Sequence, residues 1–562
     1  MALDTRFSRK EVLKGMLLAA AVPVLPSVAR GQDPAQQPGS DISLEDLKTV
    51  EKMVGIEFTD EERDEIIRSV RGFRAGYKSI RELPIDNAVA PPTPFVPQGK
   101  QPPTSRATSC QHRDMPDIER PGADEDVAFM TVAELSQLVK QKKISPVELT
   151  RMYIGRLEAY GEKLLNVITP TTYLALSQAT KAEDEIMAGN YRGPLHGIPY
   201  GIKDLFSVKG QPTTWGSEPH VRQVFDYDAA VVEMLTEAGA VCCAKLSMGA
   251  LAMNDHWHKG RTRNPWNPEQ GSSGSSAGPG SAMAAGLVAF AIGTETQGSI
   301  ISPSHRCRVT GLRPTFGRVS RHGAMTLSWS MDKAGPMCRT AEDCMLVLSA
   351  IQGSDPRDPS AVDKPFHWHC DVDLSQLKIG VLTDAEALSE FDGDVENEDH
   401  LKLLRDMGAK LEPIRITRPP AGIFIDLSVE CAAAFDDFTL GDDIDELKNS
   451  RWPRTFRSHR YVTAVEYMQA MRARTLLMKK FEEELGDFDL VFAAGRGSFL
   501  LLTTNRTGHP QISVPNGENE RGIERSFSIF GRLYDEATMC KVAWKMQQEM
   551  GYHRLRPDLS GL

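Results

Sequence analysis

Two serines and one lysine are the residues of this chain that could do chemistry together. Ser275 lies in GSSGSSAGPGSAMAAG (271–286), Ser299 in GTETQGSIISPS (293–304), and Lys203 upstream in LHGIPYGIKDLF (195–206). An ammonium stripped of its proton by burial, with two hydroxyls in reach, is the minimum for activating a serine nucleophile without histidine. The chemistry so supported is acyl transfer.

Each residue also has an ordinary reading. A run of glycine and serine taken alone is a flexible linker. Here SAMAAGLVAFAIG follows it, small helix formers passing into an apolar strand, so the run opens a helix whose first N–H groups lie unpaired beside the turn hydroxyls. Ser299 taken alone is a loop hydroxyl. A strand before it and Gly298 beside it allow a tight turn on which backbone N–H groups converge on an incoming carbonyl oxygen. Lys203 taken alone is a solvated surface lysine. Ile198, Tyr200, Ile202, Leu205 and Phe206 make its strand mostly apolar, and desolvation disfavours the ammonium, so the amine can serve as a base near neutral pH. Asp204, its neighbour in sequence, points to the opposite face of the strand and is a poor salt partner.

The same segments resemble the amidase signature family. Its glycine- and serine-rich block is similar to 273–286, its nucleophile block to 293–303 and its lysine strand to 196–205. Further similarity lies in TRNPWNP (262–268), VTGLRPTFGRVS (309–320), SMDKAGPMCRTAED (330–343), TGHPQISVP (507–515) and FGRLYDEATMCKVA (530–543). The resemblance runs from about Thr131 to about Met550, too extended and ordered for an accidental motif. It implies Ser299 as nucleophile, Ser275 as a middle hydroxyl after a cis peptide, Lys203 as base, and the amides of Thr296, Gln297 and Gly298 near the oxyanion. The implied mechanism is a relay from Ser299 through Ser275 to Lys203, giving an acyl-enzyme that water releases. The chain departs from the family at Gln297, where a second glycine is common, and at Ile301, where an arginine is common.

Other chemistries find less support. GSSAG (274–278) matches a nucleophile elbow with Ser276 as nucleophile, but that motif needs a strand immediately before it, and NPWNPEQGSS carries two prolines without apolar alternation. The nine cysteines form no C-x-x-C pair and read as small buried hydrophobes. His256 and His258 in NDHWHKG lack a third ligand at metal spacing and read as loop residues. No phosphate-binding glycine motif supports nucleotide binding. Neither a cofactor nor a metal is expected. At 562 residues, 41% apolar and 25% charged, the composition is that of a soluble globular chain with a large core. A net charge of −11 disfavours a nucleic-acid backbone as partner, which matters because one branch of the family acts on aminoacylated transfer RNA.

Residues 1–29 read as an export leader. SRKEVLK (8–14) precedes an apolar run at 16–28 that Pro23 and Pro26 break and that ends in the small-residue site Ser27-Val28-Ala29. The segment is similar to twin-arginine leaders, with Lys10 in place of the second arginine, and assigns the processed chain to the periplasm or the exterior without a stable membrane span. Capping boxes at SLED (43–46) and TDEE (59–62) predict a helical pair from Leu44 to about Tyr77 within an extension at 30–83. Seven prolines between Pro84 and Pro103 make 84–125 a stiff linker. The main domain, 126–555, alternates helices and strands. Thr131 and Ser145 start capped helices, and Asp228 opens another that stops at Gly239 before the strand AVCCA. The expected fold is α/β, a mixed, largely parallel sheet covered by helices, with 355–460 less regular and shaping the acyl or amine pocket. Two function classes stay open. One is an amidase acting on a small-molecule or peptide-like carboxamide, with esters or carbamates as side substrates. The other is a non-catalytic binding protein on the same fold, which the presence of all three relay residues disfavours. Oligomeric state is open, a homodimer among the outcomes.

Overall fold

The computed structural model describes residues 42–83, 108–111, 117–383 and 398–562. The leader, the first part of the extension and the proline run lie outside the described residues. Eleven strands form one mixed sheet. Their order is Lys410–Ile414, Lys378–Leu382, Leu490–Ala494, Glu524–Gly531, Gln511–Glu518, Thr310–Arg313, Lys333–Cys338, Phe290–Glu295, Pro199–Lys203, Val241–Leu246 and Val167–Pro170.

Pairing is parallel in two blocks: from Phe290–Glu295 through Pro199–Lys203 to Val241–Leu246, and among the Lys410, Lys378 and Leu490 strands. The strands between the blocks, and the Val167 edge, pair antiparallel. Crossover helices such as Ala230–Glu237 and Ala277–Ala284 return the chain in the first block, whereas direct returns in the middle allow antiparallel neighbours. Every residue of the Lys203 strand is buried, as a strand covered on both faces requires. Side chains alternate between two cores: Tyr200, Ile202, Phe290 and Ile292 pack in one, Ala244, Leu246, Met283 and Ala291 in the other.

Thr131 and Ser145 cap their helices as their sequences predict. Asp228 does not. Its carboxylate accepts the Lys209 N–H at 2.7 Å, and Ala229 stands at the N-cap of Ala230–Glu237 without a side-chain bond. The amides of Ala229 and Ala230 are instead taken by the carbonyls of Ser207 and His322. Residues 355–460 are more regular than expected: they contribute two strands to the sheet and the helices Asp399–Asp406, Ile425–Ala434, Asp436–Leu440 and Trp452–His459. The supposed linker is also partly structured, since Thr108–Cys110 pairs in parallel with Phe366–Trp368.

The expected helical pair is Leu44–Val54 and Asp60–Arg81, each opened by a capping box. It packs on the segment around Ala421–Phe424 and Trp452–His459. Arg63 and Glu51 form a buried ion pair at 2.6 Å, to which Tyr461 adds its hydroxyl. Arg457 reaches Glu62 at 2.5 Å, and Arg454 donates to Ser69 at 2.9 Å. At one point backbone meets backbone: a Cβ on Gly422 would lie 2.1 Å from the Gly76 carbonyl oxygen.

Candidate active site

Lys203 ends one strand and Ser299 follows the end of its parallel neighbour, with Tyr200 opposite Phe290 and Ile202 opposite Ile292. The register brings the two C-terminal strand ends to one edge, where open α/β sheets place their ligands. Ser275 arrives in the turn before Ala277–Ala284, after a cis Gly274–Ser275 peptide. The Ser276 N–H donates to the Ser299 carbonyl at 3.0 Å and ties the two serine turns together.

Lys203 is fully buried. Its Nζ lies 2.8 Å from the Oγ of Ser275 and 2.8 Å from the Oγ1 of Thr294, with the Ser276 Oγ at 3.2 Å and the Thr294 carbonyl at 3.3 Å. All these partners are neutral. Burial pushes the amine's pKa down to about 7, and the charges of Asp332 and Glu295 pull less strongly the other way. Lys245 on the adjacent strand is equally buried, but there the Asp204 carboxylate stands at 2.9 Å. Asp204 therefore serves Lys245, as the alternation of strand faces requires.

The half-buried Ser299 sits in a loop built around a carboxylate that the sequence reading overlooked. Glu295 Oε2 accepts the N–H groups of Ile300 and Ile301 at 2.9 and 3.0 Å, while Oε1 accepts Arg313 Nη1 at 2.9 Å and Asn505 Nδ2 at 2.8 Å. Burial alone would raise this carboxyl's pKa; Arg313, the Ile301 amide and Asn505 together outweigh it and hold the group below its ordinary value. No arginine stands at Ile301, and the guanidinium reaches the acid from strand Thr310–Arg313 instead. With Ile300 and Ile301 so engaged, the N–H groups of Gln297, Gly298 and Ser299 make no hydrogen bond among the described residues. Gly298, at φ +99°, turns the backbone through a conformation that side chains resist. Thr296 is fixed differently: its hydroxyl donates to Asp332 at 2.6 Å, and the other oxygen of Asp332 accepts from Leu327 and Ser328 at 2.8 and 2.9 Å. Burial raises the Asp332 pKa despite these donors. Both acids stand inside GTETQGS and SMDKAGP, so asking what holds the loop amides could have found them.

Ser276 is fully buried, and its hydroxyl donates to the Thr294 carbonyl at 3.1 Å and accepts the Thr294 N–H at 3.2 Å. A strand does precede it, contrary to the sequence reading: Asn267–Gly271. That strand pairs with Arg263–Asn264 in a small hairpin outside the main sheet, so an elbow at the top of a central strand is not formed. His256 lies in the two-residue strand His256–Trp257 rather than in a loop. Among the described residues no group of three or more His, Cys, Asp or Glu could hold a metal, and no helix is long and apolar enough to cross a membrane. Two hollows flank the Ser299 loop, one of about 300 Å³ bounded by Thr294, Thr296, Trp329 and Asp332, the other of about 470 Å³ bounded by Gln297, Ser302, Phe424 and Arg496.

A profile of the Amidase family matches residues 148–540. The chain is 30% identical over 486 residues to a glutamyl-tRNA(Gln) amidotransferase subunit from Carboxydothermus hydrogenoformans, which covers 77% of this chain and 100% of that one. The protein of the same name from Moorella thermoacetica is 32% identical over 491 residues, covering 77% and 99%. Among solved structures, an amidase family protein from Bacillus anthracis superposes with a TM-score of 0.70 at 26% identity, over 78% of this chain and 94% of that one. Native peptide amidase from Stenotrophomonas maltophilia superposes with a TM-score of 0.68 at 25% identity, over 77% and 99%. The matched span carries Lys203, Ser275 and Ser299, and the chain belongs to the amidase signature family.

Proposed function

We propose that this amidohydrolase is an exported serine enzyme that cleaves a carboxamide C–N bond through an acyl-enzyme, with Ser299 as nucleophile, Ser275 as proton relay and Lys203 as base. One observation carries the reading: a fully buried lysine whose partners are hydroxyls and a carbonyl, its Nζ 2.8 Å from the Ser275 Oγ. As a neutral amine, Lys203 accepts the Ser275 proton while Ser275 accepts that of Ser299. The Ser299 oxygen then bonds to the substrate carbonyl carbon, and the displaced electron pair rests on an oxyanion facing the amides of Thr296, Gln297 and Gly298. Collapse breaks the C–N bond, the relay in reverse protonates the leaving amine, and water repeats the sequence to release the acid. Esters and carbamates present the same carbonyl and would follow the same route.

The likeness to a peptide amidase supports a small or peptide-like carboxamide. The relatives named for glutamyl-tRNA(Gln) suggest a transfer-RNA adduct, against which the net charge of −11 speaks. The leader at 1–29 supports export. The direct test is labelling with a fluorophosphonate, mapped by mass spectrometry, beside a screen of amides. Label on Ser299, lost with turnover in a still-folded Ser299→Ala protein, is the expected result. Label that persists in that variant or maps to Ser276 would overturn the assignment.

A further inference from the structure

The hollow beside Thr294 and Thr296 does not close on itself. Gly323, Ala324, Met325, Thr326 and Trp329 line both it and a larger hollow of about 710 Å³, so the two adjoin along one trough whose inner end lies at Thr294 and Thr296. The outer reach is aromatic. The Trp215 ring stacks 6.4 Å from Phe225 and stands edge-on 6.2 Å from Phe435, which meets Phe438 at 6.5 Å. These rings are held from behind, because the Trp215 carbonyl accepts the Leu251 N–H at 2.9 Å and Phe435 stacks on buried Phe456 at 5.1 Å. At the junction Trp329 is 50% exposed. An indole left in water beside a reactive site gains free energy when an apolar ligand covers it.

Charge along the trough is uneven. In the inner part Arg321 is paired with Asp358 at 2.9 Å and Arg357 with Glu233 at 2.6 Å, while Lys333 is buried against the carbonyls of Met331 and Asn505. At the outer rim Asp436 is joined to Arg460, but Asp437 has no ion pair among the described residues. At that rim Asp437 is therefore the uncompensated side-chain charge among the described residues.

Resting on the amidase reading above, we propose that the substrate is an extended amide whose aromatic or bulky apolar group fills the trough between Trp329 and Phe438, with a cation rather than a carboxylate at its outer end. The test measures kcat/KM of the full chain for propionamide, for phenylpropionamide, and for its para-aminomethyl and para-carboxyl derivatives. Acetamides of phenylethylamine with the same substituents cover a ring on the amine side. A ring in one of the two positions should raise kcat/KM by about 100-fold over the small amide, the scale of burying one aromatic side chain. The cationic derivative should exceed the anionic one by about 5-fold, the scale of an exposed ion pair. Trp329→Ala, at an exposed position, should remove most of the gain from the ring. Asp437→Lys should invert the charge preference. Equal rates for ringed and small amides, a preference for the carboxylate, or a ring advantage that survives Trp329→Ala would overturn the proposal. So would a fall from dimer to monomer in Trp329→Ala by sedimentation, which would make the trough a contact between copies of the chain. If no amide is turned over and Ser299 takes no label, the amidase reading itself fails and this proposal with it.

Discussion

Lys203 and Lys245 stand on adjacent strands, both fully buried, and only Lys245 has a carboxylate in contact. Burial lowers the pKa of both amines, but at Lys245 the touching Asp204 carboxylate opposes it, whereas Lys203 has only neutral groups in contact. The proposed base must be neutral, so kcat/KM should rise with pH through an inflection near about 7, where burial sets Lys203, and not near the ordinary 10.5. The same depression makes folding stability rise with pH between those two values, because in that window the unfolded chain binds a proton that the folded chain does not. Ser275→Ala should cut the rate by about 10²- to 10⁴-fold, the usual loss of general acid–base help, and Lys203→Met by at least as much. The double variant should be little worse than either single one. Pre-steady-state rates across pH decide the matter, and full additivity would mean that the two residues are not one relay.

The helical pair at Leu44–Val54 and Asp60–Arg81 touches none of the reacting groups, yet it grips Ala421–Phe424, and Ala421 and Phe424 line the hollow next to Gln297. Gly422→Val would drive a side chain into the Gly76 carbonyl and the Ile80 side chain. It should cost about 1–3 kcal/mol in stability, as overpacking does, and raise KM more than it lowers kcat. Gly72→Ala on the same helix, where an added Cβ meets nothing within 4 Å, should instead gain about 0.5–1 kcal/mol. Urea melts and steady-state kinetics on the two variants test this, and an unaltered KM in a destabilised Gly422→Val protein would limit the pair to stability. This element was legible in sequence because a capping box is a signal four residues long. The contact between Lys203 and Ser275 was legible because an apolar strand frames the one and a glycine run the other. Asp228 misled because loop carbonyls from Ser207 and His322 satisfy the amides it could have capped. The Glu295, Arg313 and Asn505 network was not legible, since it joins three segments that only the folded sheet brings together.

At the scale of the whole molecule, all nine cysteines are free, most of them buried, which suits the proposed export of an already folded chain. Protein recovered from its native host should begin near Arg30, as N-terminal sequencing would read. Cytoplasmic protein retaining Met1 would remove the case for export. The residues assigned to bond making lie on the Lys203 strand and on the two serine turns beside it. The aromatic trough is walled from elsewhere, by Trp215 and Phe225 on one side and Phe435 and Phe438 on the other. On the proposed reading, reaction and the fit of the outer substrate group are inherited on separate stretches of chain. A descendant of this protein can acquire a different amide by drift in those outer walls, under no selection to retune a lysine that none of the changed residues touches.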